Sequence, residues 1–475
     1  MRSVLFLLII LATGTNSYCQ QEWSLQKCIN KAFENNIQIK QSELGLGLAH
    51  ADKKQAIGAV LPSVNASATH GYNFGQTIDP FTNTFATSRI QSNRFAASTN
   101  LTLFNGFQTY NSIKQSEVNV EARKADIEAM QNDVVLNVSS AYLGVLFNQE
   151  FVNIAQSTLN ATQQQVDRVQ KLVDAGQLPA GNLSDIQAQL AADQATLIGS
   201  QNNLDLAYLS LSQLILLTDE ENRAFTIQSP SPAQLEETSL APNAEGAVSH
   251  ALGNFPQMTS ARLGVESAEL GLNIAKGGVS PRLTASYSYG TGYSGANMIP
   301  VGTPQEIIVP VGFDPDTDEL ITATQDIYTD FQTKPFGDQL KQNTNSSLFF
   351  SLNIPIFNGW FTSTNIQRAE INLKNAAYNQ ENAKLLLEQD VRRAYADAVA
   401  SQKNFDAAET AYNASVTAHD YAQVRFEEGV INFVDYNSAK VRMDNAQAEM
   451  LRNKYDYLFK VKIIEFYQGK VLTLR

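Results

Sequence analysis

Between residues 281 and 291 apolar side chains fall on every second position: Leu283, Ala285, Tyr287 and Tyr289 alternate with Thr284, Ser286 and Ser288. A second run, about 347–357, sets Phe350, Leu352, Ile354 and Ile356 against Ser351, Asn353 and Pro355. A period of two with one apolar face predicts two strands. Phe95, Ala97, Leu101 and Leu103 repeat the theme more weakly and predict strands over about 62–75 and 94–105. The period then changes. No Pro or Gly interrupts Phe361 to Glu428, where Ile366, Ala369, Leu373, Ala376, Ala383, Leu387, Val391, Ala394 and Ala398 stand at steps of three or four or their sums. That is coiled-coil spacing and predicts helices over 361–428 and 434–466, with counterparts over 108–175 and 183–216. At 1.5 Å per residue the longest would run to about 100 Å.

These elements occur twice. An offset of 253 carries Phe104, Asn105 and Gly106 onto Phe357, Asn358 and Gly359, where strand gives way to helix, and Gly176 onto Gly429 without a gap. Upstream the offset is 219, which maps Pro62 onto Pro281 and Gly71 onto Gly290. The expected organisation is a first structural repeat over 20–242 and a second over 243–475, each ordered helix, strand, strand, very long helix, helix. The offsets differ by 34, so the second repeat holds 34 extra residues between Gly290 and Phe350. The Pro, Gly and Asp there predict a long loop over about 292–346.

Around the strands the chain offers only polar loops and long helices, so lipid is the better partner for their apolar faces, with Tyr and Phe as interfacial aromatics. No apolar run of about 18 residues follows the N-terminal segment, so a membrane would have to be crossed by strands. Four strands cannot close a barrel. Three copies would supply 12, an even number inside the range of outer-membrane barrels.

The address agrees. Arg2, the apolar run Val4 to Ala12 and small or polar residues up to Cys19 have the layout of a secretory signal peptide, expected over 1–19. A lipid anchor on Cys19 is disfavoured by the bulky Tyr18. Cleavage would leave Cys28 as the lone cysteine, structural rather than part of a disulfide framework. The whole chain has a formal net charge of −13, and losing Arg2 brings it to −14, which speaks against nucleic acid as a partner.

In duplicate, the strand, Phe-Asn-Gly and helix joint, the opening "EWSLQKCINKAFENNIQIKQSELGLGLAHADKKQAIGAVLPS", and the turns "DAGQLPAGNLSDIQAQL" and "EEGVINFVDYNSAK" resemble the TolC-type outer-membrane efflux family over essentially the whole mature chain. The resemblance implies an α+β membrane protein: a homotrimer whose 12-stranded β-barrel in the outer membrane of a Gram-negative bacterium is continued by a long α-helical coiled-coil periplasmic tunnel. It implies a passive exit duct of a tripartite efflux or type I secretion system, with a periplasmic adaptor protein and an inner-membrane pump as partners. No enzyme activity, cofactor or metal is implied.

A duct needs a way to stay shut, and its narrow end is expected where the long helices turn, at Gly176 and Gly429. Asn182 and Asp185 follow the first turn, Asp435 and Ser438 the second, at i and i+3 spacing that shares a helix face. These four are the expected tunnel-entrance gate. In the family Asp435 matches an entrance carboxylate, while Ser438 replaces a second acidic residue. Gly176, Gly429, Leu178 and Ile431 are the expected adaptor-contact tips.

Other motifs lead nowhere. "GTGYSG" from Gly290 matches a dinucleotide fingerprint but opens no helix to hold a pyrophosphate. Asp314, Asp316 and Asp318 have calcium-loop spacing, yet Glu319 and Gln325 stand where the loop needs Gly and Glu. The four histidines form no metal spacing, and no nucleophile, base and orienting group can be assembled. The alternative of a trimeric coiled-coil surface stalk or adhesin-like protein explains the helix length but not two strand pairs in duplicate.

Overall fold

The computed structural model describes residues 22–75, 77–78, 81–83, 85–86, 89–229 and 244–470; the expected signal peptide lies outside them. The chain forms α1 (Leu25–Asn35), α2 (Ile37–Gly58), β1 (Ser63–Asn73), the short β2 (Thr77–Ile78) and β3 (Phe85–Ala86), and β4 (Ile90–Phe104). Then come α3 (Gln108–Asp174), α4 (Ala180–Leu214) and the short α5 (Asp219–Arg223). The second half begins with α6 (Ala244–Asn254), α7 (Pro256–Gly277) and β5 (Arg282–Ser294). After β6 (Met298–Val301), β7 (Gln305–Phe313), β8 (Leu320–Ile327), β9 (Asp330–Thr333) and α8 (Phe336–Gln342) come β10 (Asn345–Asn353), α9 (Phe361–Glu427) and α10 (Phe433–Tyr467). The two longest helices have 67 residues each and the helices returning from them 35 each, so both halves use the same lengths. No helix among the described residues is long and apolar enough to cross a membrane.

Compactness cuts across the repeats. One unit gathers the chain up to His50, Val118–Glu266 and Lys374 onward; the other gathers Ala51–Glu117 and Ser267–Leu373. In the helical unit the two halves build their cores from equivalent positions. Cys28, Ile29, Ala32, Val134 and Val138 are buried in one cluster, and Ala247, Val248, Ala251, Leu387 and Val391, their counterparts at offsets 219 and 253, are buried in another. The first cluster is closed by Tyr142, whose buried hydroxyl lies 2.6 Å from the Gln228 carbonyl and 3.0 Å from that of Trp23. Tyr142 thus ties the start of the chain to the segment that follows α5.

The second unit is built on a four-stranded antiparallel sheet in the order β1-β4-β5-β10. Register decides its faces. Leu352 opposes Leu283, Phe350 opposes Ala285 and Leu348 opposes Tyr287, while Leu101, Thr99 and Ala97 meet Ala285, Tyr287 and Tyr289 across the other seam. Paired residues share a face, so one side of the sheet is aliphatic and aromatic. The other carries mostly Ser, Thr and Asn, with Phe349 opposite Ser286 among them, and the guanidinium of Arg282, which donates to Thr102 Oγ1 at 3.4 Å.

Two expectations need correction. The insert after β5 is not a loop: β6 pairs with β9 and β7 with β8, and α8 packs on the end of β5. Its Pro and Gly masked a β-branched strand, because in a two-stranded ribbon Pro310 and Gly312 fit at a register shift instead of ending the pairing. The run to Phe357 is also shorter as a strand, since β10 stops at Asn353 ahead of Pro355, which has no N–H to give a ladder. "GTGYSG" lies on β5 and just beyond it, not on a loop that opens a helix.

Cys28 tests the helical core. Complete burial pushes its thiol up to about 12, against a smaller opposing pull from Lys27. Three pH units above the ordinary value of 9.0 leaves about a thousandfold less thiolate at pH 8. A thiol reagent should therefore label Cys28 only after denaturation; labelling of the native protein at the rate of a free thiol would contradict this packing.

Candidate functional site

Three features repeat in both halves: the joints where strand becomes helix, the tips where long helices turn back, and the side chains beside those tips.

At each joint two consecutive residues adopt left-handed backbone. Gly106 and Phe107 have φ of 66° and 63°, Gly359 and Trp360 of 62° and 69°. For an aromatic residue this costs on the order of 1–3 kcal/mol, and the same contacts offset it in each half. The Asn105 side-chain carbonyl accepts from Thr109 N–H while its amide donates to Thr109 Oγ1 at 2.8 Å; Asn358 and Thr362 do the same, with the amide bond at 2.5 Å. Phe107 packs edge-on against Phe104 and Trp360 against Phe357, with ring centroids 5.7 and 6.3 Å apart. The expected joint residues Phe104, Asn105, Gly106, Phe357, Asn358 and Gly359 all take part. Sequence reading missed Phe107, Trp360, Thr109 and Thr362, although each pair stands at the same offset of 253.

The joints differ in their surroundings. A Cβ on Gly106 would clash with the Gly277 carbonyl and Ser280, and one on Gly277 would lie 2.5 Å from the Gly106 carbonyl, so both must be glycine for the backbones to meet. Around Gly359, and around Gly58, the counterpart of Gly277, there is open space.

At the tips Gly176 and Gly429 have φ of 71° and 72°. Their N–H groups donate to Val173 and Phe426, and the next N–H groups, of Gln177 and Val430, reach back to Leu172 and Arg425 at 2.9 and 2.8 Å. This is a Schellman ending, which needs a left-handed residue at the cap. The two hairpins meet in one cluster: Val166, Val169 and Ile186 are buried, with Leu178, Phe426 and Tyr436 packed on them. Arg168 pairs with Glu427 at 3.4 Å across the hairpins. Leu178 is therefore turned inward, and Ile431 is half-buried; the apolar group most open at the second tip is Val430, 63% exposed.

Asp435 lies in the first turn of α10, where the helix dipole favours a negative charge, and its N–H donates to the capping side chain of Asn432 at 2.9 Å. Asn182 holds the same place in α4. Asp435, Asp185 and Ser438 are exposed, Asn182 is half-buried, and no ion pair engages Asp435 or Asp185 among the described residues. The Ser438 hydroxyl is turned onto the Val434 carbonyl at 2.8 Å.

Behind these residues lies a polar network. Asp193 accepts from Thr162 Oγ1 at 2.6 Å and from Gln189 Nε2 at 2.8 Å, Asn437 donates to Gln189 at 3.1 Å, and Lys440 reaches Thr162 at 3.4 Å and Asp444 at 3.1 Å. It joins α3, α4 and α10 beside a cavity of about 170 Å³. Burial, reinforced by Asp444 and Glu427 and opposed by Arg168, raises the Tyr436 hydroxyl above its ordinary pKa. The signal for the network was in the seam: Ile186, Leu190, Asp193 and Leu197 follow coiled-coil spacing, and a carboxylate at such a position needs buried partners.

A sheet with one apolar and one polar face, joined twice to helices of 67 residues, defines a class: channel proteins that set a β-barrel on a helical tunnel. The sequence profile described as "Outer membrane efflux protein" matches residues 28–215 and 247–462, one stretch in each repeat, and the chain belongs to that family of outer-membrane channels. It is 22% identical over 463 residues to outer membrane protein TolC of Vibrio cholerae, covering 97% of this chain and 94% of that protein. Over 64% of each chain it is 24% identical to the outer membrane efflux protein BepC of Brucella suis. Among solved structures, the Campylobacter jejuni outer membrane channel CmeC has a TM-score of 0.73 at 17% identity, covering 94% of this chain and 85% of that one. The outer membrane protein VceC of Vibrio cholerae has a TM-score of 0.72 at 15% identity, covering 94% and 96%.

Asp193→Ala should loosen the tips. It strips Thr162 and Gln189 of their acceptor and leaves the buried Thr162 hydroxyl unmet, a local cost of about 1–3 kcal/mol. Amide exchange around Gly176 and Gly429 should rise about tenfold or more, with the protection of α1 unchanged. Unaltered exchange at both tips would show that the network carries no load there.

Proposed function

We propose that three copies of this chain close their sheets into a 12-stranded barrel and form a passive exit duct for an inner-membrane pump, reached through a periplasmic adaptor. One observation carries the reading: the four-stranded sheet pairs its two halves through β4 and β5 but leaves the outer edges of β1 and β10 without a strand among the described residues. In lipid such edges are costly.

The repeat supports a register for closure. Adding 253 to β4 numbers and subtracting 219 from β5 numbers turns the β4–β5 seam into a β10–β1 seam between chains. Thr99 opposite Tyr287 becomes Leu352 opposite Ala68 of the next copy, and Ala97 opposite Tyr289 becomes Phe350 opposite His70. The same operation brings Gly359 against Gly58, and both have open surroundings in the single chain, so the two backbones are free to meet. Nearby Phe361 and Trp360 are 67% and 71% exposed in the single chain, as a surface awaiting a neighbour would be. The polar sheet face then lines the channel and the apolar face meets lipid. The tips, six per trimer, supply the adaptor contact through the backbone at Gly176 and Gly429 and the open side chain of Val430. A surface stalk has no use for a sheet with one polar face.

Asp435 and Asp185 would place six carboxylates around the narrow entrance, repelling by about 1–4 kcal/mol per close pair according to the local dielectric. In planar bilayers the protein should conduct weakly, prefer cations and be blocked by trivalent cations from the tip side. Asp185→Asn with Asp435→Asn should relieve the block and reduce the selectivity; unchanged block and selectivity would move the gate elsewhere, and absence of any channel would remove the duct reading itself.

The register is tested separately. Ala68→Cys with Leu352→Cys in one chain should give covalent trimers with a short thiol crosslinker, whereas Thr69→Cys with Leu352→Cys should not, because neighbouring residues on a strand face opposite sides. Equal crosslinking by both pairs would rule this register out.

A further inference from the structure

The insert of the second repeat leaves the sheet at the ends of β5 and β10 opposite to the joint at Gly359. Its base is fixed. Gln339, fully buried, accepts from Ser294 N–H and donates to the carbonyls of Ser294 and Lys334, all at 2.9–3.0 Å, and Asn343 donates to the Gly292 carbonyl at 2.8 Å. Phe336 packs against Tyr293 and Phe95. Beyond this base β7 and β8 form a ribbon of two strands with no third among the described residues, too few to be stable in water without further cover.

The two edges of the ribbon differ. β7 is interrupted by Pro310, which has no N–H, and by the register shift beside it, both devices that blunt an edge. β8, Leu-Ile-Thr-Ala-Thr-Gln-Asp-Ile, has no proline, no lysine and no bulge, and all eight residues are exposed. Charge limits what can pair with it. Residues 296–333 contain seven acidic side chains, Glu306, Asp314, Asp316, Asp318, Glu319, Asp326 and Asp330, and no Lys, Arg or His. Like charges oppose a second copy of the ribbon, and the same carboxylates keep it out of hydrocarbon.

The geometry points to β8 as a docking edge for a basic, extended polypeptide segment, which adds to the ribbon as a third strand. Main-chain hydrogen bonds to the open edge hold the segment, its lysines or arginines answer the seven carboxylates, and its alternate side chains rest on Ile321, Ala323 and Ile327 of β8. That this happens outside the cell rests on the barrel reading above; the edge itself does not.

The test uses the full-length protein in detergent and a fluorescent octapeptide of alternating Lys and Val as probe. A Lys-Pro octapeptide has equal charge but cannot make a ladder, and a Glu-Val octapeptide reverses the charge. The Lys-Val peptide should bind, the Lys-Pro peptide at least about tenfold more weakly, and the Glu-Val peptide not at all. Binding should protect β8 amides from exchange and vanish when residues 305–327 are replaced by Gly-Gly, a variant expected to keep its conductance. Equal affinity for the Lys-Pro peptide would reduce the effect to charge attraction and overturn the proposal. So would no binding, protection only outside β8, or better binding of a second ribbon than of the peptide. Thr317→Cys on intact cells should react with a membrane-impermeant maleimide; failure there with peptide binding intact would refute the external position and the barrel orientation, leaving the docking edge standing.

Discussion

A peptide N–H or C=O without a partner in hydrocarbon costs several kcal/mol, and the sheet of this chain ends in two strands, β1 and β10, whose outer sides pair with nothing among the described residues. Most else in the structure answers to that constraint. It explains why the sheet has one apolar and one polar face set by register, since a closed sheet needs an outside and an inside. It also explains why the chain is built twice: a half whose second strand fits the first strand of the other half can close a ring by repeating a single seam.

The joints apply the same logic to the turn from strand to helix. Two left-handed residues in succession swing the chain from one period to the other. The Asn cap and the aromatic pair fasten that turn locally, so it forms alike in both halves whatever surrounds it. The surroundings then diverge in an informative way. Gly106 is pressed against Gly277 inside the chain, whereas Gly359 and Gly58 face open space. A glycine with positive φ and nothing near it is explained by its backbone alone; Gly58 carries no such requirement. In the proposed trimer its open side is where the backbone at Gly359 of a neighbouring copy would arrive.

What could be read from the sequence was whatever repeats with a period or at a fixed offset. Helices of nearly seventy residues show in the seam from Ile366 to Ala398, and the joints and tips show because Gly106 and Gly359, or Gly176 and Gly429, stand 253 residues apart. The ribbon was hidden because Pro310 and Gly312 break local pattern even where they do not break pairing. Phe107 and Trp360 were hidden because no propensity suggests an aromatic residue in left-handed backbone; only the packing on Phe104 and Phe357 makes it tolerable. The network around Asp193 lay in plain view as a carboxylate in an apolar seam, but its partners Thr162 and Lys440 come from other helices and cannot be found by spacing.

The two halves agree and disagree in a pattern with a physical cause. Where one half must complement the other, in the buried positions from Cys28 to Val391 and in the caps of the joints, equivalent residues do equivalent work. Where nothing must match, they are free to part. The first half turns from strand to strand in a short connection, the second in an acidic ribbon on a fixed base, at the end of the sheet that no seam constrains. At the tips the buried side chains pack together while the positions beside them diverge, Asn182 and Asp185 in one half against Asp435 and Ser438 in the other, so that each half keeps one carboxylate in a different slot. Assembly is thus tied to the repeated positions. The proposed selectivity and the proposed recognition both fall on positions that the repeat does not hold, the carboxylates beside the tips and the acidic ribbon.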